Sequence, residues 1–282
     1  MKSYVERVIA EIPQFMAHFS LCLFRPKLFL HQQLELEAKA DGISKGVEFL
    51  IISFLVALFI SQILPEAVNP MTLPANDDGF TRMASTALFN LFLLFFSAAA
   101  AFGCLRLFGA EGSFFAFFRV FAFFCGTSLV LMVFADAVTN IIFIDPVVAK
   151  SWIKLEQNGA AMKQLTTQML CNTDDAGEVV NNPGLAKRYE QLLWAGQALY
   201  TKATQRTLFM LGNGLQALVY LVMAGWLFVV WFAYGRHQQL GTGKIILTAV
   251  LSLVLIAGAG FLLSTMQTGA EMMALYRACP AA

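Results

Sequence analysis

A single carboxylate, Asp136, lies inside one of the most apolar stretches of the chain, residues 112 to 140, which read GSFFAFFRVFAFFCGTSLVLMVFADAVTN. A charged side chain at the centre of a bilayer costs about 2.5–3.5 kcal/mol or more, so Asp136 is expected to face the interior of a helix bundle. Asn140 follows four residues later on the same helical face. Asn90 and Asn213, in neighbouring apolar stretches, are candidate hydrogen-bond partners. These residues predict an intramembrane polar network, which is either structural or part of a proton or solute pathway.

The same run carries a cation, Arg119, near its beginning. Its long aliphatic stem can stay among apolar side chains while the guanidinium reaches a lipid phosphate, and this interpretation is favoured over a substrate-binding role. Arg25 and Lys27, which precede the apolar stretches, are expected to meet anionic headgroups at the same interface.

Other chemistry has little support in the sequence. The chain has three histidines, none in a spacing typical of a metal site, and it has no nucleophile–base motif. The GTGK at 241–244 lacks the preceding strand and glycine of a phosphate loop, and it predicts a tight turn. A formal net charge of +1 gives no footprint for nucleic acid. We therefore expect no metal, no cofactor, no nucleic-acid partner and no enzymatic activity.

The composition is that of an integral membrane protein. Of the 282 residues, 58% are hydrophobic and 13% are charged, and the mean hydropathy is +0.66. A membrane-spanning helix needs roughly 20 mostly apolar residues. Five stretches meet this length or come close to it: 47–64, 83–105, 115–144, 208–234 and 245–266. The predicted fold is an all-α bundle of five transmembrane helices.

The distribution of Lys and Arg predicts the orientation. Basic residues concentrate in residues 1–46 and in the connection between the fourth and fifth spans. Under the positive-inside rule, the N-terminus is cytoplasmic and the tail, residues 267–282, is extracytoplasmic. Residues 1–20 lack the uninterrupted apolar core of a cleaved signal peptide, so the N-terminus is expected to be retained. The predicted location is the inner (plasma) membrane.

Two segments outside the spans are predicted to be helical. Residues 13–40 combine apolar residues at helical spacing with interspersed basic residues, which is typical of an amphipathic helix in the membrane interface or of a helix packed beneath the bundle. Residues 145–207 predict an extracytoplasmic helical hairpin, with helices near 148–170 and 184–206 on either side of an Asn-Pro-Gly turn.

Two of the five cysteines fall outside the membrane under this topology. Cys171 lies in the hairpin segment and Cys279 lies in the tail. In an oxidising compartment they would form a disulfide that ties the tail to the hairpin, and the alternative is two unpaired thiols.

Two short segments carry a resemblance to a known family. FRPKLF at 24–29 and FGAEGSFFAFFRVFAFF at 108–124, within a five-span pattern, resemble the Yip family of Ypt/Rab-interacting multispan membrane proteins and its bacterial relatives. The resemblance covers about 20–144 and 208–266. Its most telling positions are Gly109, Gly112, Ser113, Phe114 and Arg119.

The resemblance implies a non-enzymatic protein that organises membrane proteins or lipids. The chain lacks the Asp-Leu-Tyr-Gly-Pro motif of eukaryotic members, and residues 145–207 are longer than the family's usual connection. The leading hypothesis is a scaffold or accessory subunit whose partners are membrane lipids and a membrane protein or a second copy of the chain. The competing hypothesis is a small transporter or lipid-handling permease subunit that uses the polar site around Asp136.

Overall fold

The computed structural model describes residues 2–35, 42–63, 79–171 and 182–277, and over these residues the chain is all-helical. Its elements, in chain order, are α1 (Lys2–Phe24), α2 (Pro26–Glu35), α3 (Gly42–Ile63), α4 (Gly79–Leu107), α5 (Phe114–Thr139), a 3-10 helix (Asn140–Ile144), α6 (Pro146–Leu170), α7 (Pro183–Thr204), α8 (Thr207–His237) and α9 (Thr242–Arg277).

Several helices begin at a proline, which tolerates the first helical position because the N–H there needs no partner. Before α6, the side chain of Asp145 accepts a hydrogen bond from the N–H of Val147. Before α7, Asn182 accepts from the N–H groups of Gly184 and Leu185. These caps satisfy donors that the first turn leaves unpaired. Pro26 separates α1 from α2, because the residue before a proline is disfavoured in the helical conformation.

Two helices, α4 and α8, end in the same way. After α4, the N–H of Ala110 bonds to the carbonyl of Leu105 across Gly109, whose φ is +96°. After α8, the N–H of Leu240 bonds to the carbonyl of Gly235 across Gln239, whose φ is +56°. Both are Schellman motifs, in which a left-handed residue reverses the chain and satisfies the last carbonyls.

Three of the described helical stretches are long and apolar enough to cross a membrane: Phe114–Ile144, Thr207–His237 and Thr242–Met266. These helices are compatible with the predicted membrane protein. The other two predicted spans fall on α3 and α4, whose side chains are described only in part, and the five-span count stays a prediction. Half of the most apolar stretch of α5 is buried, against 11% and 17% for those of α8 and α9, so α5 is the best-covered of the three.

The chain forms two compact units. The first comprises described residues of 1–65, 88–137 and 217–258, and an aromatic cluster forms its core. The ring of Phe123 on α5 lies 5.0 Å from that of Phe29 on α2 and 4.9 Å from that of Phe49 on α3, measured between centroids. Phe15 on α1 stacks on Phe49 at 4.8 Å. The N-terminal helices therefore pack on the bundle through buried side chains. Their predicted position in the membrane interface stays a prediction.

The second unit comprises described residues of 66–87, 138–216 and 259–282. Within it, α6 and α7 pack along each other, with Leu155 against the backbone of Gly196. Val148, Ala203 and Ile142 form a buried apolar cluster at the start of α6. The bounds of α6 and α7 lie within two residues of the predicted 148–170 and 184–206. The extracytoplasmic position of this pair of helices stays a prediction.

The last helix is longer than predicted. The apolar span ends at 266, but α9 continues to Arg277. Residues 267–277 contain no proline and are rich in Ala, Glu, Met and Leu, which favour helix even where the hydropathy falls. The predicted tail, 267–282, is therefore helical over most of its length.

A close approach of α3 to α5 generates a first prediction. A Cβ atom at Gly46 would lie 2.9 Å from the backbone oxygen of Arg119 and 3.2 Å from its Cα, so the two backbones would have to separate. Such overpacking typically destabilises by about 1–3 kcal/mol. We expect Gly46→Ala to lower the thermal unfolding temperature in detergent. The matched control is Gly225→Ala, because the space around that helical glycine is open. Equal unfolding temperatures for the two variants would contradict the prediction.

Candidate intramembrane polar site

Asp136 on α5 is paired with a residue on α8. The hydroxyl of Tyr220 donates a hydrogen bond to Oδ1 of Asp136 at 3.0 Å. Asp136 is exposed on the surface of the chain, so the expectation that it faces the interior is wrong. The pair lies within two of the stretches that are apolar enough to span a membrane. The polar site is thus an open face of α5 and α8.

Tyr220 was missed by the sequence analysis because nothing local links two residues 84 positions apart. A signal was nevertheless present, since a tyrosine in an apolar helix needs a partner for its hydroxyl. The hydroxyl of Tyr220 satisfies one acceptor of the Asp136 carboxylate within these apolar stretches.

The structure describes the side chains of two of the three asparagines in the predicted network, Asn140 and Asn213. Asn140 begins the 3-10 helix that follows α5 directly, with Thr139 before it still in the helical conformation, and its place on the face of Asp136 stays a prediction. The Oδ1 atom of Asn140 is buried with no hydrogen-bond partner among the described residues. Asn213 donates to the carbonyl of Phe209 on its own helix at 2.8 Å. The side chain of Asn90 lies outside the described residues.

Arg119 is 4% exposed. Its guanidinium donates to the backbone carbonyl of Gln33 in the last turn of α2, and its Nε has no partner among the described residues. A cation is stabilised at a helix C-terminus, where unpaired carbonyls carry partial negative charge. Arg25 and Lys27 are exposed, in keeping with a position at lipid headgroups. A lipid-phosphate contact of these three residues stays a prediction.

Outside the spans, Asp145 forms the ion pair of the second unit. Its Oδ2 accepts from Nε of Arg206 at 2.8 Å, which joins the start of α6 to the segment between α7 and α8. The hydrogen bond from Arg206, together with that from the N–H of Val147, lowers the pKa of the Asp145 carboxyl below its ordinary value. Each favours the ionised carboxylate.

Cys171 and Cys279 were predicted to form a disulfide. The free cysteines of the described residues are Cys22, Cys104 and Cys125. Cys171 is not among them, and its predicted partner, Cys279, lies outside the described residues. No group of three or more metal-ligating side chains occurs within the described part of the chain. Comparison with family models, curated proteins and solved structures finds no match for this chain.

A second prediction concerns the pH dependence of the Asp145–Arg206 pair. Because the folded-state pKa of Asp145 is lowered, the pair stabilises the protein fully above the unfolded pKa of about 3.8 and loses this contribution as the pH falls through the folded value. Thermal unfolding should show Asp145→Asn less stable than the wild type at pH 6, with the difference closing below about pH 3.8.

The matched control for this pair is Glu156→Gln, which removes an exposed acid of α6 that forms no ion pair among the described residues. It should leave the unfolding temperature unchanged. A difference between wild type and Asp145→Asn that persists undiminished at pH 3 would contradict the prediction.

A third prediction concerns the Cys171–Cys279 bridge. If the two residues are linked, peptide mapping of the non-reduced protein should recover a cross-linked pair, and reduction should release it. Cys279→Ser should lower the stability by about 2–4 kcal/mol, the typical contribution of a disulfide. Alkylation of both residues before reduction would show that the bridge is absent.

Proposed function

We propose that the chain is a non-enzymatic, Yip-like inner-membrane protein with five spans that acts as an accessory or scaffold subunit for another membrane protein. In this proposal the N-terminus is cytoplasmic, and the C-terminus and the α6–α7 hairpin are extracytoplasmic. The partner is held at membrane depth and at the outer surface.

The observation that carries the proposal is the exposure of Asp136 on α5, which is hydrogen-bonded to the half-buried Tyr220 on α8. In a chain surrounded only by lipid, this face would present a carboxylate to hydrocarbon, at a cost of about 2.5–3.5 kcal/mol or more. A transmembrane helix of a partner that covers the pair removes this cost and can add a hydrogen bond, since polar side chains join helices in lipid.

The hairpin offers a second surface of the same kind. Leu193, Trp194 and Ile153 are 50%, 61% and 57% exposed, although they lie on helices whose other faces pack together. Large aromatic and aliphatic side chains exposed on a polar helix are typical of protein interfaces. Contact here would hold the same partner outside the membrane.

The Yip-like part of the proposal rests on the sequence resemblance. Gly109 and Gly112, two of its telling positions, have φ values of +96° and +115°, which favour glycine. Arg119, a third, lies buried beneath α2. These are structural roles in this chain, and the proposal does not extend to GTPase binding.

The competing function is transport, and one observation favours it. An ionisable residue within an apolar span, here Asp136 with its hydrogen bond from Tyr220, is typical of solute and proton pathways in membrane proteins. In that case Asp136 would be essential for the movement of a solute, and the chain would not need a stoichiometric partner.

A fourth prediction separates the two functions. We expect extraction of the tagged chain in native lipid particles to recover one membrane protein at near-equal stoichiometry by mass spectrometry. Asp136→Asn and Tyr220→Phe should each weaken this recovery by roughly threefold to twentyfold, the range of interhelical hydrogen bonds in membranes. The control is Thr265→Val, since Thr265 is an exposed hydroxyl residue that bonds only within α9.

Recovery of the chain alone, with one enriched solute whose uptake fails in Asp136→Asn at normal abundance, would replace the accessory role with transport. Unchanged recovery of the partner with both Asp136→Asn and Tyr220→Phe would show that the polar pair does not contribute to the interface.

A further inference from the structure

A shallow groove of about 460 Å³ runs along the first unit between α4 and α9. Its lining is almost wholly apolar and consists of Ala100, Gly103, Cys104, Arg106 and Leu107 from α4 and Leu255 from α9. Leu107 and Leu255 are 81% and 47% exposed, so the groove opens outward. Leu255 belongs to a stretch that is long and apolar enough to span a membrane. The space is therefore available to a hydrocarbon chain.

Small residues of α4, Ala100 and Gly103, line the groove. A Cβ atom at Gly103 would meet no heavy atom within 4 Å, so this position faces open space. Glycines of the same unit at helix contacts differ, since a Cβ at Gly235 would lie 2.6 Å from the Ile245 side chain. Gly103 thus keeps the groove open, and a larger side chain there would fill it.

Two cations lie where α4 ends. Nη1 of Arg106 donates to the carbonyl of Ala110 at 3.2 Å, and Nζ of Lys244 donates to the carbonyl of Phe108 at 3.2 Å. Both side chains thus reach the same short turn, although Lys244 comes from the start of α9. Both residues are exposed.

Neither cation is neutralised by an acid within the described part of the chain. The acid of this turn, Glu111, donates its backbone N–H to Gln238, and its carboxylate forms no ion pair with them there. A guanidinium has five N–H donors and an ammonium has three, and each of these cations uses one in the hydrogen bonds above. Donors therefore remain for an anionic oxygen.

We infer that the α4–α9 groove binds one anionic phospholipid of the cytoplasmic leaflet. An acyl chain lies along Gly103 and Leu255, and the phosphate is held by Arg106 and Lys244. The apolar groove can hold an acyl chain, which a free phosphate does not have. The two cations, Arg106 and Lys244, favour a headgroup with net negative charge. The site is distinct from the Asp136–Tyr220 pair. Its assignment to the cytoplasmic leaflet rests on the proposed orientation, whereas the binding of an anionic phospholipid does not.

The test uses the full chain in lipid nanodiscs of equal parts phosphatidylglycerol and phosphatidylcholine, followed by native mass spectrometry of the lipids that remain bound. The wild type should retain one phosphatidylglycerol per chain. Gly103→Leu should lower this retention at least fivefold. Gly258→Leu is the matched control, because Gly258 is also a helical glycine facing open space but lies outside the groove lining, and it should retain the lipid.

A second variant tests the headgroup contact and leaves Gly103 and Leu255 unchanged. Arg106→Gln combined with Lys244→Gln should lower the preference for phosphatidylglycerol to the ratio in the bilayer. Arg236→Gln, which removes a cation engaged with Thr242, should not change it. The inference is overturned by a wild type that retains no lipid, by equal retention in the two glycine variants, or by a double variant that keeps the preference. If Gly103→Leu loses its helical circular dichroism, the double variant decides.

Discussion

The first unit depends on how one buried cation is accommodated. A guanidinium removed from water is tolerated only when hydrogen bonds replace its hydration. Arg119 finds an acceptor in the carbonyl of Gln33, at the negatively polarised end of α2. This contact requires α2 to lie against α5. It also fixes the course of α3, because Gly46 passes directly over the Arg119 backbone and leaves no room for a side chain. The aromatic rings of Phe29, Phe49 and Phe123 fill the space that this arrangement encloses.

Close packing at glycines holds the rest of the unit together. Helices in lipid gain little from hydrophobic burial against one another, so their association relies on van der Waals contact between closely spaced backbones. A Cβ at Gly126 would lie 2.7 Å from Oγ of Ser53, and one at Gly235 would lie 2.6 Å from Ile245. These contacts join α3 to α5 and α8 to α9. Gly103, where the space is open, shows that a glycine in this chain is not always a packing residue.

Local features of the sequence predict the helices well, and tertiary contacts explain what they miss. The starts of α5 and α8 lie one residue from the predicted 115 and 208, because the long apolar runs begin there. The polar site could be predicted only as far as Asp136. Its partner Tyr220 and the acceptor of Arg119 lie 84 and 86 residues away in the chain, and hydropathy does not encode such pairings. The cost of a carboxylate in hydrocarbon predicted an inward Asp136, but its exposure depends on which face of α5 the neighbouring helices cover, and hydropathy alone does not determine that face.

The two Schellman turns have a consequence for the order in which the protein assembles. They are cross-linked by hydrogen bonds from the Glu111 N–H to Gln238 and from Lys244 to the Phe108 carbonyl, over separations of 127 and 136 residues. Synthesis of the first turn is therefore complete long before its partner leaves the ribosome. Individual helices insert first and associate afterwards. The contacts of the α4–α5 turn with α8 and α9 can therefore form only after α8 and α9 have been inserted. Joining of the two turns is then among the last steps of biogenesis, and a chain truncated after α7 would leave the first turn without its counterpart.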